Sequence, residues 1–346
     1  MKKATTFFVS ILFFLGVTAQ KKDYKIAIVG FYNLENFYDT VNNTTVNDEE
    51  FLPEGPRSYN GKIYWDKVGK LAKVISEIGV DASPASPDGA AILGVAEIEN
   101  DTVLHDLIKH PLIARRNYQI VHYDSKDARG VDVGLLYNPK YFKVLESKPL
   151  YVQLPYGSKA ASYTRDILWV KGELDGDIIH VYVNHWPSRS GGEKRSAPGR
   201  AAAAQVAKNH IDSIKNADGA QKVILMGDLN DDPVSASVTD VLGAKGKIKD
   251  VKAGELFNPW YEMYRNGIGT LGYNDAWNLF DQIIISEPFL NKDQAGYRFY
   301  KQYIFNRDYL TENIGRYKGY PMRTWDGMSY RGGYSDHFPT YIVLIK

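Results

Sequence analysis

The sequence predicts an α+β fold, a four-layer sandwich of two packed, mainly antiparallel sheets flanked by helices, in a single domain. Three observations predict it. Short apolar runs of strand length far outnumber helical patterns, several of those runs are joined by tight polar turns, and two segments alone carry a clear helical period. A doubly wound parallel sheet would alternate a helix with each strand, and this chain does not. With 346 residues, 44% of them hydrophobic and 13% aromatic, there is apolar material for one large core.

Taken in order, the chain opens with Lys2 and Lys3, an apolar run from Phe7 to Val17, and small residues at Val17-Thr18-Ala19 before Gln20. That is the pattern of a secretory signal over residues 1–19, with an exported domain, periplasmic or extracellular, over 20–346. The run is too short for a comfortable membrane span and nothing later is long enough, so no membrane insertion is expected after cleavage. Cysteine is absent, and a large core makes disulfides unnecessary for an exported domain. Removing the leader takes 42 basic against 41 acidic residues to 40 against 41, so a long nucleic-acid footprint gains no support from net charge.

Ile26 to Phe31 reads as a buried strand leading into Tyr32-Asn33-Leu34-Glu35-Asn36. Trp65 to Ile78 reads as a helix with Val68, Leu71, Ala72, Ile75 and Ile78 on one face. Ala90 to Ala96 is a strand ending at Glu97. Tyr118 to Tyr123 and Val131 to Tyr137 pair across the polar turn 124–130. Ile167 to Leu174 and Ile178 to Asn184 form a hairpin around Asp175-Gly176-Asp177. The alanine-rich stretch Arg200 to Ile214 is the second helix, and Val223 to Met226, Gln282 to Ile285 and Thr340 to Ile345 are the remaining strands. Asn258 to Trp277 and Tyr297 to Arg331, aromatic and glycine-rich, read as long functional loops at one rim.

The informative feature is where polar residues fall relative to those strands. Asn33 and Glu35 follow the first, Glu97 the second, His185 the strand Val181 to Val183, Asp228 and Asn230 the strand Val223 to Met226, and Asp336-His337 precede the last. Each of these alone reads more readily as a turn or a solvated strand end than as a site residue. Together they place carboxylates, amides and imidazoles at one rim of a rigid scaffold. Carboxylates gathered there repel one another, and a hard cation such as Mg²⁺ or Mn²⁺, with Ca²⁺ as an alternative, is the natural compensating charge.

These residues give the chain a resemblance to the endonuclease/exonuclease/phosphatase superfamily over nearly its whole length and in the order of that family's motifs. Tyr32-Asn33-Leu34-Glu35-Asn36, Val95-Ala96-Glu97, Asn184-His185-Trp186-Pro187 and Phe280-Asp281-Gln282-Ile283 are similar to four of them. Gly227-Asp228-Leu229-Asn230, with leucine where an aromatic is usual, and Tyr334-Ser335-Asp336-His337-Phe338-Pro339 resemble the two most specific. The resemblance implies a metal-dependent phosphoesterase acting by in-line attack of water. It implies metal-holding roles for Glu97, Asn33 and Asp336 and catalytic roles for His185, Asp228, Asn230, Asp281 and His337. Asn33, Arg165 and Arg189 are expected at the substrate phosphate. Arg189, Lys194, Arg195 and Arg200 read as a local clamp for an anion, and Arg129 as a weaker candidate.

The expected partner is a phosphate-ester substrate, nucleic acid among the options; no protein partner can be inferred. A non-nucleic phosphatase, a lipid phosphodiesterase, and an inactive secreted binding protein on the same scaffold are the alternative readings.

Overall fold

A computed structural model describes Met1 and residues 24–84, 86–156, 163–219, 221–273, 275–293 and 295–346. The leader expected over residues 1–19 lies, Met1 aside, outside the described residues. In chain order, strand β1 (Ile26–Phe37) leads through helix α1 (Gly61–Glu77) to β2 (Ala90–Ile98) and α2 (Asp101–Ile108), then to β3 (Gln119–His122), β4 (Asp132–Tyr137) and β5 (Phe142–Leu150). The hairpin of β6 (Ile167–Leu174) and β7 (Asp177–His185) precedes α3 (Glu193–Asp218), β8 (Lys222–Asp228), β9 (Leu256–Phe257) and the short α4 (Tyr261–Arg265). The chain closes with β10 (Leu271–Tyr273), β11 (Ala276–Asn278), β12 (Asp281–Ser286), β13 (Arg298–Ile304), β14 (Trp325–Asp326), β15 (Ser329–Tyr330) and β16 (Thr340–Ile345).

Two six-stranded sheets result, ordered β13-β16-β1-β2-β4-β3 and β5-β6-β7-β8-β12-β9. Neighbours pair antiparallel except β1 with β2 and β7 with β8. A parallel pair needs a crossover, and the two long helices α1 and α3 are those crossovers.

Both faces of the inner strands are buried, and the period of two sorts the side chains. Ala27, Val29 and Phe31 of β1 face Val181, Val183, Met226 and Ile283 of the other sheet. Ile28, Tyr32 and Leu34 point the other way, onto Val68, Leu71 and Ile75 of α1. On the far side Ala203, Ala204 and Ala207 of α3 cover Leu225 and Tyr182. The order helix, sheet, sheet, helix is the expected four-layer sandwich. Each fully buried aliphatic here stabilises by roughly 1.5–3 kcal/mol. The sheets approach closely at Gly94, where a Cβ would sit 2.5 Å from the Met226 sulfur.

Helix α1 starts where Asn60 accepts from the Lys62 and Ile63 amides, at 3.0 and 3.3 Å. Four features differ from the sequence reading. Helix α3 begins at Glu193, not Arg200, with Pro198 inside it. Its first turns are held by Ser196 Oγ on the Gly192 carbonyl and by Arg200 on the Glu193 carbonyl, partners that no local pattern announces. Helix α2, capped by Asn100, is short enough to have passed as a turn. Strands β5 and β13 are sheet edges with mixed polar faces, so their alternation is weak. Thus 297–331 is part strand and 258–277 contains α4, β10 and most of β11. No helix of the described residues is long and apolar enough to cross a membrane.

Candidate active site

The strand registers assemble the site. In the second sheet His185 of β7 pairs with Asp228 of β8, and Asp228 pairs with Asp281 of β12, so three polar side chains stand in a row across adjacent strand ends. In the first sheet Asn33 of β1 pairs with Ala96 of β2, beside Glu97. The first sheet carries register shifts there, between Asn33 and Phe37 and between Ala96 and Ile98. Glu35, Asn36, Glu97 and Asn230 adopt left-handed backbone, with φ of 48°, 50°, 58° and 48°. Such conformations cost energy in residues other than glycine and cluster where a bulge re-aims a side chain. Gly227 precedes Asp228 because a Cβ there would lie 2.2 Å from the Asn184 carbonyl oxygen.

Asn33 joins the two sheets: its amide donates to Glu97 Oε1 and to Asp228 Oδ2, both at 3.1 Å. The other Glu97 oxygen accepts from the Asn36 amide at 2.8 Å. His185 Nε2 stands 3.8 Å from Glu97 Oε1 and 3.7 Å from Asp228 Oδ2, and its Nδ1 is buried without a partner. Burial, reinforced by the cations Arg165 and Arg129, holds His185 well below its ordinary value, so the ring is neutral.

His337 behaves oppositely. Burial alone would lower it, but Asp281 and Asp228 outweigh that and hold it well above the usual histidine range. Its Nδ1 bonds Asp281 Oδ2 at 2.8 Å, and the same oxygen accepts from the Thr270 hydroxyl at 2.5 Å. Nε2 is thereby turned toward Asp228 Oδ2, 3.8 Å away. Burial pushes Asp228 up to about 7 against the pull of His337, with Asp281 and Glu97 adding to the rise. Ser335 fixes this segment by donating to the Asn33 carbonyl at 2.7 Å and accepting from the His337 amide at 3.1 Å.

The expected phosphate ligands are placed less openly. Arg165 is 6% exposed, with its guanidinium on Asp127 at 3.1 Å and on the Trp186 carbonyl at 2.6 Å. Arg189 is held by the Asn230 carbonyl at 3.0 Å and by Asp232 at 3.0 Å. Asn230 donates its amide to the Trp186 carbonyl at 2.9 Å. Asp336 faces Arg323 at 3.1 Å and His337 Nε2 at 3.9 Å. Arg200, read as part of a clamp, is fully buried on Asp231 at 2.7 Å and braces α3 instead. Arg129, the weakest candidate from sequence, is half-exposed beside Asp127 and carries its charge toward Glu97 and His185.

Sequence reasoning passed over Thr270, Asp127 and Ser335 as members of this network. Thr270 lies in a stretch read as a loop, and Asp127 in a turn where aspartate is ordinary. The serine stands inside Ser335-Asp336-His337, where nothing local shows that its hydroxyl reaches the Asn33 carbonyl.

The donor set fits a hard divalent cation. Glu97, His185 and Asp228 each offer an atom within 4.8 Å of the others, as do Asp228, Asp281 and His337. The first group has two carboxylates, a neutral imidazole and the Asn33 amide beside it. Burial, with Asp281 and Glu97 adding to it, raises Asp228, and a cation beside the carboxylate would relieve that.

The sequence profile of the Endonuclease/Exonuclease/phosphatase family matches residues 28–346. No curated protein matches the chain by sequence. Among solved structures, a mannosyl-6-phosphatase from Bacteroides thetaiotaomicron VPI-5482 aligns at 15% identity over 92% of this chain and 100% of its own, with a TM-score of 0.55. TDP2 of D. rerio, complexed with single strand DNA product, aligns at 14% over 92% and 98%, with a TM-score of 0.53. The human Nocturnin catalytic domain with bound sulfate anion aligns at 13% over 93% and 97%, with a TM-score of 0.52. At such identities the likeness speaks for the fold.

Proposed function

This chain belongs to the Endonuclease/Exonuclease/phosphatase family, and from that premise we propose that it hydrolyses a phosphate ester with the help of a divalent cation, Mg²⁺ or Mn²⁺. The observation that carries the reading is the row His185, Asp228, Asp281 across three paired strands, closed by the His337–Asp281 bond and tied to Glu97 through Asn33.

Glu97, with Asn33 and Asp228 beside it, would hold the cation, which when bound supplies positive charge to a phosphoryl oxygen. The rest falls to side chains of this chain. Asp281 and Thr270 fix the His337 ring so that its Nε2 and the Asp228 carboxylate face the same space. An attacking water held there is oriented for in-line displacement, and the Asp228 carboxylate is placed to take its proton. Neutral His185 on the opposite side of Asp228 is placed to donate or accept a hydrogen bond at the phosphate. Half-exposed Arg129 is the guanidinium best placed to meet it. The leader pattern supports action outside the cytoplasm.

Among the structural neighbours one was solved with a DNA product and another is named a mannosyl-6-phosphatase, so the scaffold does not choose the substrate. The test is turnover of p-nitrophenyl phosphate and bis-p-nitrophenyl phosphate by the full chain, with Mg²⁺ or Mn²⁺ and with EDTA. Metal-stimulated hydrolysis of either ester, abolished by chelation, is expected. Equal rates with EDTA, or inertness of the folded, metal-supplied protein toward both esters, would overturn the reading and favour a binding protein on this scaffold.

A further inference from the structure

Two cavities flank the catalytic rim, one on each side of the β10–β11 hairpin. The first, about 360 Å³, runs between the hairpin and residues 312–331 and reaches Asp336, the neighbour of His337. The second, about 840 Å³, lies between the turn at 188–193 and the same hairpin and reaches Asn230. Both are within the range usual for small-molecule sites.

Their charges are already matched. In the first, Arg316 bonds Asp275 at 2.8 Å, Arg323 bonds Asp336 at 3.1 Å, and Arg331 lies 3.4 Å from both Glu312 and Asp326. Three arginines thus stand against four carboxylates on its wall. In the second, Arg189 bonds Asp232 at 3.0 Å and covers the Phe280 ring at 4.6 Å. A polynucleotide brings a phosphate on either side of the scissile one, and holding those takes cations that are not already neutralised. These walls offer no such excess, which favours an uncharged group beside the scissile phosphate.

The first cavity also has a fixed aromatic wall. Tyr320 lies edge-on to Trp277 at 4.9 Å and nearly parallel to Tyr317 at 6.3 Å. It sits so tightly on the hairpin that a Cβ at Gly272 would be 2.4 Å from its ring. Tyrosine gives an apolar face with a polar edge, and the paired guanidinium and carboxylate groups alternate donors with acceptors around it. That combination suits a ring whose faces carry C–H groups and whose rim carries hydroxyls, each able both to donate and to accept.

We infer that the substrate is a phosphomonoester of a sugar, with the sugar ring against Tyr320 and Tyr317 and its hydroxyls on the Arg331 and Arg316 pairs. This rests on the hydrolase reading above. The bond between phosphorus and the sugar oxygen breaks, a water oxygen bonds to phosphorus, and one water proton ends on the sugar oxygen, giving the free sugar and inorganic phosphate.

The experiment compares kcat/KM of the full chain, with Mn²⁺, on mannose 6-phosphate, glucose 6-phosphate, p-nitrophenyl phosphate, a nucleoside 5′-monophosphate and a single-stranded oligonucleotide. At least one sugar phosphate is expected to exceed the other three by about tenfold or more. Tyr320→Ala, and separately the exposed Tyr317→Ala, are expected to lower that value about tenfold through KM rather than through kcat. Calorimetric binding of the preferred sugar phosphate in EDTA is expected to weaken in the same two variants. Preference for the oligonucleotide or the nucleotide overturns the inference alone, as does an equal loss on every substrate or no loss in Tyr317→Ala. Inertness toward every ester overturns the hydrolase reading and the inference with it.

Discussion

Asp281→Asn is the sharpest probe of how the His337 imidazole is held. Asp281 is fully buried, its Oδ2 receives both His337 Nδ1 and the Thr270 hydroxyl, and its Oδ1 has no hydrogen-bond partner. Asparagine keeps the shape and removes the charge. Two consequences follow from the geometry. The charge-assisted bond to His337 becomes a neutral one, a difference on the order of 1 kcal/mol in stability. The ring also loses the carboxylate that outweighs burial, so its affinity for a proton falls, and Nδ1 loses the charged acceptor that fixes the ring's orientation. Positioned acid–base groups contribute roughly 10²–10⁴-fold, so kcat on p-nitrophenyl phosphate with saturating Mn²⁺ is expected to fall by about that range. KM should change little, and the melting temperature should fall by only a few degrees. The assay is a kcat profile from pH 5.5 to 9 alongside a thermal melt. A kcat within threefold of the parent across that range would refute the argument, and a loss explained by unfolding at the assay temperature would remove its support.

Three further outcomes are expected. Glu97→Gln should raise the metal concentration needed for half-maximal activity by roughly tenfold or more, since one ligand charge at the Asn33-linked position is lost; an unchanged metal titration would place the cation elsewhere. Gly94→Ala puts a methyl 2.5 Å from the Met226 sulfur and 3.1 Å from Val183, and should destabilise by about 1–3 kcal/mol in a denaturant melt; a neutral effect would mean the sheets can part at little cost. His180 is 2% exposed and accepts from Trp169 Nε1 at 3.3 Å, and burial, then Lys171 and His210, lower it to about 4. The unfolded chain binds its proton near 6.5 and the folded chain near 4, so stability is full above about pH 6.5 and falls as pH drops through that window, by up to about 3 kcal/mol. The loss of melting temperature from pH 7 to pH 4 should shrink in His180→Phe, and equal losses would refute the assignment.

The local code was sufficient for much of this architecture. The buried strands of the two sheets announce themselves because both faces are covered, so they read as unbroken apolar runs, and α1 shows itself through Val68, Leu71, Ala72 and Ile75 on one face. Edges were harder: β5 and β13 have one covered side, and their sequences mix lysine, glutamate and tyrosine without a clean period. The polar residues of the candidate site were visible for a related reason. Acids, amides and histidines at the ends of buried apolar runs stand out together, Asn33, Glu97, His185 and Asp228 after such runs and His337 just before one.

What the sequence could not supply is which of these groups meet and in what state. Registers between strands far apart in the chain decide that His185, Asp228 and Asp281 lie side by side. Packing of one sheet on the other brings Asn33 to Asp228, across 195 residues. The same packing separates the two histidines electrostatically: cations and burial keep His185 neutral, whereas two carboxylates keep His337 charged. Arginines are the clearest case. Arg165, Arg189 and Arg200 look alike in sequence to Arg129, and all four meet buried carboxylates, yet Arg129 keeps about half of its side chain exposed. Whether a guanidinium is a brace or a ligand depends on which carboxylate the fold brings to it, because a long flexible side chain takes its partner from tertiary neighbours and not from the residues beside it.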